Sequence, residues 1–224
     1  MLFSSEQVSN GHPDKICDQI SDAIVTDILA QDKRARIAAE CCIKDYSICI
    51  LGEISTDYEP NYHGIIAEIL RRIGLPDAEK YELNLLISRQ SPDIARGVDV
   101  DGAGDQGMMF GYATNETKEL LPIPYVLSTK ALLKLRDQNL AEGFSRLLPD
   151  AKAQVSYDYK AGRIDTFLLS SQHRESTSLE EVREIISKIM KESAEEMNLN
   201  TDFRILVNPT GRFVLGSSFA DSGL

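Results

Sequence analysis

The chain has 224 residues, 42% of them hydrophobic and 26% charged, with a formal net charge of −11. That balance describes a soluble globular protein of one large or two ordinary domains, and the acidic excess argues against nucleic acid as a partner, because phosphate backbones want a basic face. No apolar run reaches membrane-spanning length and the first residues lack the basic and apolar regions of a signal peptide, so no membrane partner is expected and a cytoplasmic location is.

In chain order, Ile16, Ile20, Ala23, Ile24 and Ile28 recur at spacings of three and four, which predicts an amphipathic helix over about 13–31 with Pro13 in its first turn. Strand-like runs at 36–44 and 47–56 follow, joined at Asp45-Tyr46 as a hairpin. A second helix over 62–73 ends before Gly74 and Pro76, and a short strand at 83–88 closes the round. The order then returns. A helix at 124–139 carries Leu127, Ala131, Leu132 and Leu135 on one face, and strands at 153–159 and 164–172 flank Lys160-Ala161-Gly162. A helix at 178–197 opens on Ser178 with Glu181 three residues on, a capping box, and a strand at 203–207 ends the second round. Helix–strand–strand–helix–strand twice, offset by about 110 residues, reads as an α+β unit written twice. The expected division is 1–100 and 101–224.

Cys17, Cys41, Cys42 and Cys49 form no C-x-x-C pair, so zinc is not expected and buried free thiols are. Adjacent Cys41 and Cys42 point to opposite faces of their strand. Several other groups carry chemistry. Gly11-His12-Pro13-Asp14-Lys15 opens the first helix; it reads as a charged helix start capped by Asn10, or as a phosphate site in which His12 and Lys15 donate and Asp14 holds Mg²⁺. Glu40 and Glu53 sit in the first hairpin as solvated edge acids or as ligands. Gln90-Ser91-Pro92-Asp93-Ile94 begins a polar stretch, a surface loop or a lid, that runs to Gly102-Ala103-Gly104-Asp105-Gln106-Gly107, a turn or a ligand-binding loop at the seam of the two units. Asp150 and Lys152 share strand parity, and Asn208-Pro209-Thr210-Gly211-Arg212-Phe213 is a turn that presents Arg212 and Phe213. His63 and His173 read as surface or core fillers.

These runs, together with Ser9-Asn10, Gly52-Glu53-Ile54, Met109 through Thr117 and Pro149-Asp150-Ala151-Lys152, resemble the S-adenosylmethionine synthetase (methionine adenosyltransferase) family, in the family's order along the whole chain. The resemblance implies three similar α+β units about a pseudo-threefold axis, two of them here. It implies joining of ATP and L-methionine: the sulfur attacks C5′ of the ribose, triphosphate leaves, and the same site hydrolyses it to phosphate and diphosphate. By position, His12, Lys15 and Lys152 take the catalytic, phosphate-facing roles, with Asp150 beside them; Asp14 binds Mg²⁺ and Glu40 belongs to a K⁺ site. Glu53, Gln90 and Asp105 hold methionine, Asp221 contacts methionine or nucleoside, and Arg212 and Phe213 line the adenosine pocket. The resemblance further implies a homodimer, or a dimer of dimers, with the site between subunits. Family members continue past Asp221-Ser222-Gly223-Leu224 with Thr-Gly, an Arg-Lys pair, a glycine-rich loop and a third unit. A separate C-terminal polypeptide is therefore an expected partner, and an apolar exposed face is expected where that unit packs. The stretch between Asp93 and Gly102 is shorter than in many relatives.

Overall fold

Strand β1 (Leu2–Val8) opens the computed structural model, which describes residues 1–75, 77–89 and 106–224. The sequence pattern does not predict this strand, because Ser4-Ser5-Glu6-Gln7 breaks the apolar alternation that marks one. Helix α1 (Pro13–Gln31) follows and buries Ile16, Cys17, Ile20, Ile24 and Ile28 along one stripe. Strands β2 (Arg36–Lys44) and β3 (Ser47–Ser55) form the antiparallel hairpin, in register from Lys44–Ser47 to Arg36–Ser55. Helix α2 (Tyr62–Ile73) stops at Gly74, whose φ of 91° lets its N–H reach back to the carbonyls of Arg71 and Leu70. Strand β4 (Glu82–Ser88) then runs parallel to β3.

The second round repeats both the order and the strand directions. Helix α3 (Ile123–Ala141) leads into antiparallel β5 (Leu147–Asp158) and β6 (Arg163–His173). Helix α4 (Leu179–Glu196) opens on the expected Ser178–Glu181 capping box, and β7 (Arg204–Val207) runs parallel to β6. The result is the α+β fold expected, with sheet orders β2-β3-β4 and β1-β5-β6-β7.

A separate apolar core lies behind each sheet, one centred on Ile16, Ile20, Ile48 and Ile50, the other on Leu127, Val155, Phe167 and Ile186. Each such side chain contributes roughly 1.5–3 kcal/mol on burial, so helix docking rather than intrinsic propensity holds the helices. The N-terminal strand crosses between the rounds: β1 pairs with β5 in an antiparallel ladder from Leu2–Asp158 to Val8–Lys152. The far end of the chain crosses back, where Gly223 bridges Ile43 and Ser218 accepts from the Asp45 N–H. Strand β5 starts well before the expected residue 153, because a register irregularity between Leu147 and Ala151 absorbs Pro149.

Candidate functional site

The two crossings bring one group of predicted residues together. Ser9 is buried against β5: its hydroxyl donates to the Pro149 carbonyl at 2.6 Å and accepts from the Ala151 N–H at 2.8 Å. Gly11 has room for nothing more than hydrogen, since a Cβ would lie 2.5 Å from both the Pro149 carbonyl carbon and its Cβ. These contacts set the N-terminus of α1 against the Pro149-Asp150 corner. His12, not Asn10, is the N-cap, with Nδ1 accepting from the Asp14 N–H at 3.3 Å and lying 3.6 Å from the Asp14 carboxylate. Asp14 is exposed and also accepts from the Leu224 N–H at 3.3 Å.

Asp150 lies buried beside this helix end and accepts from the Ser217 N–H at 2.6 Å. Burial pushes its carboxyl above the ordinary value, opposed by the Ser217 bond and by His12, while Asp221 pushes the same way as burial. A buried acid, a half-buried imidazole and the exposed acids Asp14 and Asp221 thus converge at the N-terminus of α1, the positive end of the helix dipole. Ser217 holds a φ of 56°, and its buried hydroxyl has no hydrogen-bond partner among the described residues.

The cations at this end are paired with carboxylates of the chain. Lys15 reaches Asp18 at 2.5 Å, and Lys152 reaches Glu6 on β1 at 2.8 Å. Both pairs are half-exposed, so each is worth little and its lysine is easily drawn to a stronger anion. Asp150 and Lys152 share parity but not surroundings, since Asp150 is buried and Lys152 is exposed.

Arg212 and Phe213 sit at the far end of β6, where Arg212 pairs with Glu175 at 2.7 Å. Their turn is held by Asn208, its expected first residue, and by His173, which by sequence alone reads as a filler. Buried Asn208, at a φ of 41°, clasps the Ser171 main chain, accepting from its N–H at 2.8 Å and donating to its carbonyl at 3.0 Å. Buried His173 accepts from the Phe213 N–H at Nε2, 3.1 Å, and its Nδ1 lies 2.9 Å from the Arg174 carbonyl. The neutral imidazole with its proton on Nδ1 satisfies both contacts. The signal available in the sequence was the Asn-Pro dipeptide; His173 carried none.

Glu40 and Glu53 lie on the three-stranded sheet, Glu40 opposite Leu51 and Glu53 opposite Ala38. Gly52 between them has a φ of 134°, and a Cβ there would meet the Ala38 carbonyl oxygen at 2.0 Å, so only glycine permits the pairing that positions Glu53. Gln90 and Asp105, with most of the glycine-rich loop, lie outside the described residues. Among the described residues, no group of three or more His, Cys, Asp or Glu side chains is placed to hold a metal ion. Asp14, a single exposed carboxylate at a helix N-terminus, has the form of an acid that holds Mg²⁺ together with substrate phosphates and water rather than in a protein cage.

Residues 1–92 match the S-adenosylmethionine synthetase N-terminal domain model, and residues 100–213 match the central domain model. The chain belongs to the S-adenosylmethionine synthetase family. It is 45% identical over 238 aligned residues to an S-adenosylmethionine synthase of Mesoplasma florum, covering 100% of this chain and 63% of that protein. The corresponding protein of Mycoplasma mycoides is 44% identical, with 100% of this chain and 61% of that protein covered, and that of Clostridium botulinum is 40% identical, with 100% and 63% covered. The chain therefore spans about three fifths of the length of these S-adenosylmethionine synthases. The N-terminal domain match takes in His12, Asp14, Lys15, Glu40, Glu53 and Gln90; the central domain match takes in Asp105, Asp150, Lys152, Arg212 and Phe213. Asp221 lies beyond both family matches, though within the alignments to the relatives.

Proposed function

We propose that this chain provides the phosphate-side and methionine-side residues of a methionine adenosyltransferase, which forms S-adenosylmethionine from ATP and L-methionine and hydrolyses the triphosphate. The observation that carries the reading is the α1 N-terminus held against Asp150 by Ser9 and Gly11, with His12, Lys15 and Lys152 around it. Displacement at carbon needs no protein nucleophile; it needs the sulfur held in line and the leaving polyphosphate neutralised. Lys15 and Lys152 leave their weak pairs with Asp18 and Glu6 for the phosphates, and His12 stabilises the leaving oxygen. Asp14 holds Mg²⁺, which supplies positive charge to the polyphosphate when bound. Glu40 serves a K⁺ site; Glu53, Gln90, Asp105 and Asp221 hold methionine, and Arg212 and Phe213 face the nucleoside. The site is completed in a homodimer, or a dimer of dimers, by the partner's methionine-side residues. The two units divide at 1–100 and 101–224, and the cytoplasm is the proposed location.

The test supplies ATP, methionine, Mg²⁺ and K⁺ and measures S-adenosylmethionine and phosphate, with the chain alone and with the C-terminal polypeptide of a relative. Turnover is expected, with Lys152→Met lowering kcat about 100-fold, the scale of losing one charge-stabilising contact. Asp105→Asn is expected to raise the methionine requirement while leaving ATP binding unchanged. A second reading, a ligand-binding chain that assembles with a complementary polypeptide, is favoured by the pairing of Lys15, Lys152 and Arg212 with carboxylates of the chain itself. Calorimetric binding of methionine or a non-hydrolysable ATP analogue without turnover selects that reading; neither binding nor turnover removes both.

A further inference from the structure

The last residues of β6, Ser171, Gln172 and His173, hold the segment from Asn208 to Ser217, each by a different device. Ser171 is clasped by Asn208. His173 exchanges two bonds with Phe213: Nε2 accepts from the Phe213 N–H, and its own N–H donates to the Phe213 carbonyl at 2.9 Å. Gln172 is 9% exposed and donates from Nε2 to the Val214 carbonyl at 2.9 Å. Its amide also lies against Gly216, where a Cβ would come within 2.6 Å of the Gln172 Cδ. The next residue, Ser217, donates its N–H to Asp150. Direct contacts therefore run from Phe213 and Val214 through the Gln172 amide to Gly216, Ser217 and Asp150. Among the described residues the buried Oε1 of Gln172 has no hydrogen-bond partner. An unpaired buried acceptor costs its desolvation, and an apolar side chain of the same reach fills the space without that cost. Packing alone does not account for a glutamine here.

We propose that Gln172 is a positioning residue for the nucleoside, which fixes the distance between Phe213 and the Asp150 corner. The inference rests on the nucleoside role proposed above for Arg212 and Phe213. Gln172 acts through Val214 and Gly216 rather than on the substrate. Without its Nε2 bond the Val214 carbonyl loses its partner and Gly216 its backstop, so the Phe213 ring and the Ser217 N–H no longer keep one separation.

Two substitutions break this contact from opposite sides. Gln172→Leu removes the donor and the unpaired acceptor together while keeping the bulk. Gly216→Ala displaces the amide without changing Gln172, and the Gly216 φ of −149° is extended backbone that alanine adopts freely. Binding of an ATP analogue with an imido bridge between its β- and γ-phosphates is measured by calorimetry with Mg²⁺, beside thermal unfolding. Each single variant is expected to raise Kd about tenfold, the scale of one hydrogen bond, at unchanged stoichiometry and with a melting temperature close to the parent's. The double variant is expected to fall well short of the product of the two, because both break one contact. Hydrogen exchange is expected to quicken at the Phe213 and Ser217 amides and to stay unchanged at Leu169. A parent-like Kd in Gln172→Leu, a lowered stoichiometry at unchanged Kd, or effects that multiply in the double variant each overturn the proposal. A parent that binds no analogue removes the nucleoside reading itself, and the role of Gln172 with it; that failure shows in the parent, whereas failure of the Gln172 inference shows only in the variants.

Discussion

Asp150 is the residue whose chemistry is most clearly set by its surroundings. Its carboxyl is raised by burial, so the folded state takes up a proton more readily than the unfolded chain. The sign follows: stability from this group is fully present below the unfolded carboxyl value, and it is lost as pH rises toward the raised folded value. Asp150→Asn keeps an oxygen to accept from the Ser217 N–H and removes the buried charge. The variant is expected to melt above the parent at neutral pH and to converge with it near pH 4, a comparison that thermal unfolding across a pH series makes directly. Ser9 carries a different load. Ser9→Ala leaves the Pro149 carbonyl and the Ala151 N–H without their buried partner, at about 1–3 kcal/mol for each group, read as a lower urea midpoint with unchanged slope.

At the scale of elements, two glycines decide how neighbours approach. Gly52→Ala pushes a Cβ into the Ala38 carbonyl at a φ of 134°, so the hairpin must open, and a loss of at least 2 kcal/mol is expected in chemical denaturation. Gly11→Ala collides with the Pro149 backbone rather than a flexible side chain. It is expected to displace the α1 N-terminus and to weaken binding of a non-hydrolysable ATP analogue more than it lowers melting temperature, as calorimetry beside thermal unfolding would show. Elements with a strong local period were legible: α1 through its isoleucine stripe, the β2–β3 hairpin through its turn, α4 through Ser178 and Glu181. Strand β1 was not, because Ser4, Ser5, Glu6 and Gln7 carry no strand pattern and become a strand only by pairing with β5. The early start of β5 was hidden by Pro149, tolerated where the ladder is irregular.

For the whole molecule, the exposed apolar surface of the three-stranded sheet is the feature with a consequence. Leu51 and Leu86 are register partners, 40% and 66% exposed, on adjacent strands. Under the proposed homodimer, the double variant Leu51→Lys, Leu86→Lys is expected to sediment as a monomer at concentrations where the parent associates, with stability changed by no more than about 0.5 kcal/mol. The motifs that hold the candidate residues were legible as local glycine, proline, acid and cation spacings, while the role proposed for each residue came from the family resemblance. The assembly of the site was not legible. His12 and Asp150 are far apart in sequence and meet because Ser9 bonds β5 and Gly11 admits Pro149, and the part played by His173 in holding Phe213 left no trace in spacing.

The sequence by itself determined the α+β class, the doubled unit and the helix and hairpin positions. Those follow from periods of 3.6 and 2 and from turn chemistry, which act over a few residues. Only the tertiary structure decided that the first strand of the chain belongs to the second sheet, that the last residues lie against Ile43 and Asp14, and that Asp150 is buried while Lys152 is exposed. Those depend on pairings between distant segments, chosen by which buried polar groups find partners and which glycines allow close approach, and no local pattern encodes that choice.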